Sequence, residues 1–363
     1  MSEVHPNRFL IDASEFKREL EFEIARARKR VLIQVMTFEC DEVGNWLIER
    51  VGKSKAQDKR LVVDAYSLVN INDGLALGSR YFSDRDFKSE VDSTRALLKK
   101  RHIDGIEIHV TNRMQWNFAR YPFRNHKKLI VIDDILYLGG LTFSEHNFLW
   151  HDFMVKIDDP KHVASVVADL DYTISGRNQS KKVSFHGSDI YFLNGNRSKS
   201  LYADLFDQIK SAKKSIKIIS PYLSNPLLRE LRDVNVPVDI LTPQMNNKGI
   251  MTKMLLDTSK GRKWNIHLYQ GRMSHIKAIL IDEVALIFGS SNFDFVSYEL
   301  EQEIVMACRE KEVIKEFIER VWNVDFENSQ LLHSSNQKRY LGARIAIFVA
   351  ETFVKFLGIF KKA

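Results

Sequence analysis

Residues 126–133 read HKKLIVID and residues 275–282 read HIKAILID, so the pattern His-x-Lys-x4-Asp occurs twice. Each copy runs into a second apolar stretch and then a turn of small residues. After Asp133 come Ile135-Leu136-Tyr137-Leu138 and Gly139-Gly140; after Asp282 come Val284-Ala285-Leu286-Ile287-Phe288 and Gly289-Ser290-Ser291-Asn292. On a strand, residues at even separation share a face. His126 and Lys128 therefore project the same way, as do His275 and Lys277, while the apolar runs behind them anchor each strand. A single match of this kind is readily an amphipathic strand with a chance histidine. Two copies, each closing the same repeated unit, are not.

The repeat extends upstream. Residues 24–33 (IARARKRVLI) and 209–218 (IKSAKKSIKI) both read as the basic end of a helix entering an apolar strand. Pro221 ends the second of these strands. Helix-like stretches follow at 45–51 and 226–231, and β-rich runs at 61–64 and 238–241. Alternating helices and apolar strands predict an α/β layered domain, made twice. The expected division is a first domain over 1–175, a linker over 176–200 rich in Ser, Asn, Lys and Gly, a second domain over 201–330, and a tail over 331–363. Ala27 and His126 stand 99 positions apart, Ala212 and His275 only 63. The stretch 70–122 thus reads as an insertion that shapes a lid or an acyl channel.

Composition narrows the partners. In 363 residues, 44% are hydrophobic and 54 Lys+Arg face 47 Asp+Glu, a formal charge of +7. That excess favours anionic partners: phospholipid surfaces, nucleic acid or phosphate esters. Two cysteines, Cys40 and Cys308, without a CxxC, argue against a disulfide framework or a cysteine zinc site and suit a reducing compartment. The opening MSEVHPNRFL lacks the basic-then-apolar build of a secretory signal.

The paired motif suits phosphoryl chemistry. An imidazole can attack phosphorus or move a proton near neutral pH, and a lysine two residues on offers fixed charge to nonbridging oxygens. Two copies around one phosphodiester would need no metal and no cofactor. A carboxylate on the other ring nitrogen would set the tautomer; Asp133 and Asp282 are the candidates, with the pairing between halves left open. His146 and His151 without a third ligand make a poor metal site. Trp116, Trp150 and Tyr222 read as packing residues.

These segments resemble the phospholipase D superfamily, and their surroundings resemble its bacterial cardiolipin synthase branch. The likeness rests on RNHKKLIVID at 124–133, Gly139-Gly140, Trp150-His151-Asp152, Ser220-Pro221-Tyr222, and His275 through Glu303 with GSSNFD at 289–294; it covers roughly residues 15–325. The resemblance implies an α/β fold of two pseudo-twofold-related α/β/α sandwich domains. It implies ping-pong phosphatidyl transfer in which His126 attacks phosphorus and His275 protonates the departing alcohol, then activates the incoming one. Lys128 and Lys277 would bind phosphate oxygens, helped by Asn292. Glu145 and Glu303 would hydrogen-bond the opposite histidine, a plain surface carboxylate being the alternative, and Thr142, Ser290 and Ser297 would complete the substrate contacts, a structural hydroxyl being the favoured reading of Ser297. With a second phosphatidylglycerol as acceptor the product is cardiolipin; with water it is phosphatidic acid. The expected partners are anionic phospholipid and a membrane surface, not nucleic acid. The chain departs from the family at Thr142, where Asn is usual, at Val296, where Arg is common, and at Glu301, where Asn is common.

The tail, LGARIAIFVAETFVKFLGIFKKA at 341–363, predicts an amphipathic helix. At 3.6 residues per turn, positions 344, 351, 355 and 362 share one narrow stripe. Ile345, Phe348, Val349, Phe353, Phe356, Leu357, Ile359 and Phe360 form a broad apolar surface ending in Lys361 and Lys362. An interfacial anchor at the cytoplasmic face of a membrane is the expectation. A helix docked on its own domain or on a second subunit is the alternative.

Overall fold

The computed structural model describes residues 7–113, 121–332 and 340–361; Trp116 and Lys362 lie outside them. The chain divides into two compact units. The first runs to Leu149 and resumes over Phe153–Gln179; the second takes Trp150–Asp152 and everything from Ser180.

The first unit is built on one sheet. Arg30–Val35, Asp58–Asp64 and Ile106–Thr111 run parallel, and Leu129–Ile132, Ile135–Gly139, Phe153–Ile157 and Asn7–Ile11 continue from Arg30–Val35 as an antiparallel meander. The second unit repeats this order. Ile216–Ile219, Val238–Pro243 and Trp264–Tyr269 are parallel; Ala278–Ile281, Ala285–Gly289 and Gln302–Cys308 follow antiparallel. The runs VLIQV, LIVI and AILI are apolar and buried throughout because helices cover both faces of strands at the sheet centre. The helix Glu42–Lys53 shows how the covering forms. The Asp41 carboxylate caps it by accepting from the Gly44 N–H, and Val43, Leu47, Ile48 and Val51 present one buried stripe.

Two expectations need correction. Residues 176–200 are not simply a linker: Lys181–Phe185 and Ser188–Asn194 form a hairpin turning at Gly187 (φ +77°), and the second strand pairs with Gln302–Cys308. The polar composition belongs to an edge strand, while Ile190, Phe192 and Leu193 beside it are fully buried. The stretch 70–122 is also only partly extra. Ile106–Thr111 is a strand of the main sheet, and Arg85–Lys99 is a covering helix. The added part among the described residues includes the short hairpin of Asn70–Ile71 and Gly74–Leu75, where Ile71 and Ala76 pack on Phe87 and Val91 of that helix.

The tail forms a helix over Leu341–Ile359 docked on its own unit. Of its polar stripe, Glu351 turns inward, while Arg344 and Lys355 stay exposed. Arg344 pairs with Asp257 at 3.4 Å, and the Glu351 carboxylate accepts from Asn225 Nδ2 at 3.0 and 3.2 Å, beside buried Ile347 and Gly358. Phe348, Val349, Phe353, Phe356, Ile359 and Phe360 are left facing out, each more than half exposed.

Candidate active site

In each unit the motif His and Lys lie in extended chain entering a central strand. The alternation read from the sequence is present. Lys127, between His126 and Lys128, points the opposite way and bonds Asp169 in the helix Pro160–Ile174 (2.5 Å), both side chains fully buried. Ile276, between His275 and Lys277, is likewise buried. Buried groups pin the approach to His126: the Asn125 N–H donates to Asp64 Oδ2 (2.7 Å), Arg124 pairs with the same carboxylate (2.7 Å), and Gln34 Nε2 donates to Asn125 Oδ1 (3.0 Å). Lys128 Nζ sits 3.0 Å from His126 Nε2 and donates to the His126 carbonyl at 3.2 Å.

The second unit shows the chemistry most fully. His275 Nδ1 is 2.9 Å from Asp152 Oδ2, and both residues are buried. A carboxylate can only accept, so this contact puts the ring proton on Nδ1 and leaves Nε2 to exchange protons. Lys277 Nζ is fully buried, 2.6 Å from the same Nδ1 and 3.7 Å from Asp152; both contacts cannot claim one ring nitrogen. The ammonium has the His275 carbonyl and Asp152 as acceptors, so we assign Nδ1–H to the carboxylate. Asp152 thus accepts from the imidazole and counters the Lys277 ammonium. Backbone bonds tie the segment down: the His275 N–H donates to the His151 carbonyl (2.7 Å) and the His151 N–H to the Met273 carbonyl (2.8 Å). Trp150 packs on the His275 ring at 5.1 Å between centroids, and Tyr222 stands at 6.0 Å.

Asp152 is the residue that sequence reading missed, although Trp150-His151-Asp152 had been singled out. The carboxylates proposed instead do other work. Asp282 accepts from the backbone N–H groups of Lys213, Lys214 and Ser215 (2.8, 2.7 and 3.0 Å), and Asp133 from those of Arg28, Lys29 and Arg30 (3.0, 2.7 and 3.0 Å). Each closes a helix-to-strand junction, and its own residue has positive φ, 50° at Asp133 and 53° at Asp282. Against the push of partial burial, those donors hold both carboxyls below the usual carboxylate range. Asp133 and Asp282 are fold residues.

The turns after the motifs are equally tight. A Cβ at Gly139 would sit 2.1 Å from the Phe153 carbonyl oxygen, and one at Gly289 2.2 Å from that of Ile304. Thr142 is buried in the first turn. In the second, Ser290 and Ser297 both donate to the fully buried Glu303, Ser297 at 2.7 Å. These hydroxyls orient a carboxylate. Asn292 is buried with its Oδ1 lacking a hydrogen-bond partner among the described residues. Glu145 is exposed at the start of a short helix and accepts from the Glu42 N–H (2.9 Å), the surface alternative rather than a histidine partner.

The two histidines weighed as a metal pair have other partners. His151 stacks on Tyr269 (5.1 Å, 8°) with Nε2 2.8 Å from Asp325, and His146 Nδ1 lies 3.4 Å from Glu39. Three carboxylates of the first unit, Glu39, Asp41 and Glu90, gather with one oxygen of each within 4.8 Å of the others. Burial, then the charges of Glu39 and Asp41, push Glu90 up to about 7.

Comparison with known proteins places this geometry. A family model described as "Cardiolipin synthase, PLD-like domain" matches residues 205–324. Cardiolipin synthase 1 of Bacillus cereus is 26% identical over 387 residues, covering 95% of this chain and 70% of that protein. Minor cardiolipin synthase ClsB of Bacillus subtilis is 26% identical over 287 residues, covering 70% and 69%. Among solved structures, the phosphatidylserine synthase of Haemophilus influenzae superposes with a TM-score of 0.75 at 15% identity, covering 97% of this chain and 95% of that one. At that identity the likeness is one of fold.

Proposed function

We propose that this chain, an enzyme belonging to the phospholipase D superfamily, is a phosphatidyltransferase that makes cardiolipin from phosphatidylglycerol through a phosphohistidine. His126 attacks phosphorus and a P–N bond forms as the bond to the glycerol oxygen breaks. That oxygen takes the proton from His275 Nε2, and glycerol leaves. The hydroxyl of a second phosphatidylglycerol then gives its proton to the neutral His275 and attacks phosphorus; the P–N bond breaks and His126 is restored. Atoms and charge balance with the two imidazoles alone. Lys128 and Lys277 offset charge on the nonbridging oxygens, where fixed donors stabilise a transition state most, and Asn292 supplies a further polar contact.

The observation that carries this reading is the His275–Asp152 pair with Lys277 beside it. It is a buried, oriented proton carrier next to a buried cation, in a chain whose relatives are named cardiolipin synthases. The test is to incubate purified protein with phosphatidylglycerol and weigh the lipid products. Diphosphatidyl lipid with released glycerol supports transfer; phosphatidic acid alone would identify water as the acceptor and overturn it.

The same reading includes peripheral association with the cytoplasmic face of a membrane through the helix Leu341–Ile359. Its support is the row of exposed phenylalanines and the free thiols Cys40 and Cys308. Among the described residues no helix is long and apolar enough to cross a membrane.

A further inference from the structure

A groove of about 530 Å³ runs along the inner edge of the C-terminal helix, away from the His275 pair in the chain and sharing none of its residues. Four cations line it: Arg232, Lys260, Arg262 and Arg344. Its two carboxylates are engaged. Asp257 accepts the Tyr340 N–H (3.0 Å) and faces Lys260 and Arg344, each at 3.4 Å, and Glu351 is bonded to Asn225. Arg232 and Arg262 are exposed on the remaining side. Partial burial, then the charge of Arg232, weaken the hold of Arg262 on its proton, with the charge of Asp233 acting more weakly in the other direction, so the two guanidiniums repel across a shared space. Arg262 is nevertheless fixed in place, its Nε donating to the Thr258 carbonyl (3.0 Å) and its plane lying over Trp264 (5.3 Å). With Asp257 matched by Lys260 and Arg344 and Glu351 by Asn225, the like charges of Arg232 and Arg262 make an anion receptor.

Leu341 and Phe348 also line the groove, and both are more than 60% exposed. From them the apolar face of the helix runs on through Ile345, Val349, Phe353 and Phe356. A cationic recess opening onto an apolar ridge matches one kind of ligand, with a phosphate at one end and hydrocarbon at the other. We propose that this groove is a non-catalytic binding site for the phosphate headgroup of an anionic phospholipid, whose acyl chains lie along the exposed face of the C-terminal helix. The site makes membrane association selective for anionic lipid, and it stands whether or not the reaction proposed above is correct.

The test measures vesicle binding by full-length protein carrying His275→Ala, so that no lipid turns over. Vesicles are phosphatidylglycerol/phosphatidylcholine (1:1) or phosphatidylcholine alone. The Arg232→Gln/Arg262→Gln variant should bind the anionic vesicles about thirty-fold more weakly, at roughly 1 kcal/mol per basic residue near an anionic surface and about tenfold per 1.4 kcal/mol. Its binding to phosphatidylcholine should be unchanged. Removing two exposed cations elsewhere, Lys311→Gln/Lys315→Gln, controls for net charge and should cost under threefold. Millimolar inorganic phosphate should not displace the vesicles. Equal losses in both variants, wild-type binding by the arginine variant, or displacement by inorganic phosphate would each overturn the proposal. With His275 intact and detergent-dispersed lipid, failure to make cardiolipin would overturn the proposed reaction and leave the vesicle result intact, so the two readings fail separately.

Discussion

Asp152→Asn removes one charge from beneath His275 while keeping shape. The carboxylate and the ring it orients are about 4 Å apart between charge centres, and at an effective dielectric of about 20 a full imidazolium there gains about 4 kcal/mol. The gain is realised only while the ring carries both protons, so it is differential along the reaction. Losing it costs about 10³-fold in the rate of the step in which His275 takes a proton. The same substitution leaves Lys277, fully buried, short of its counter-charge, at about 3 kcal/mol of stability, or roughly 10 °C in Tm. Turnover of phosphatidylglycerol should therefore be assayed at 20 °C, with circular dichroism showing the variant folded at that temperature. A folded Asp152→Asn protein retaining a rate within threefold of wild type would refute the assignment of the proton to Nδ1 and of the carboxylate to its support.

Asp282→Asn should cost about 1–2 kcal/mol by weakening acceptance from three backbone N–H groups, visible in urea midpoints, while activity per folded molecule stays near wild type. Because Asp282 and Asp133 are held below the usual carboxylate range, their stabilisation is complete above about pH 4 and fades as pH falls through their folded values. The urea-midpoint deficit of Asp282→Asn against wild type should accordingly shrink as both are taken below about pH 4. Glu90 has the opposite sign. Raised to about 7, it favours folding when protonated and opposes it as pH climbs through 7, so Glu90→Gln should gain stability at pH 8 and little at pH 5. Phe353→Ser/Phe356→Ser should weaken vesicle binding about a hundred-fold or more, at about 1.5–3 kcal/mol per phenylalanine buried, with Tm unchanged because both rings face out.

The fold was legible where apolar periodicity and strand burial coincide. LIVI and AILI are central strands because four consecutive apolar residues can only be buried on both faces. The roles of aspartates were not legible from spacing. Asp133 and Asp282 follow their histidines by seven residues, yet a turn of positive φ swings each carboxylate back to a distant helix end. Asp152, the actual partner of His275, lies 123 positions away, and no local pattern encodes such a pairing. Composition misled at 181–194, where the lysines and serines of an edge strand looked like loop. In the tail the helix is legible from its periodicity, but its docking is not: Glu351 and Arg344 meet partners in their own unit, and the phenylalanines stay outward. Such partners lie on other elements of the unit and leave no trace in the spacing of the tail itself.

The central claim is that one imidazole from each half of a duplicated chain serves a single phosphorus, His126 as nucleophile and His275 as proton carrier. Rapid quenching with phosphatidylglycerol, followed by peptide mass spectrometry under conditions that preserve phosphoramidates, tests it most directly. The account predicts a phosphatidyl adduct on His126 within the peptide spanning residues 124–133, absent in His126→Ala. An adduct on His275 instead, or full turnover by His126→Ala, would contradict it.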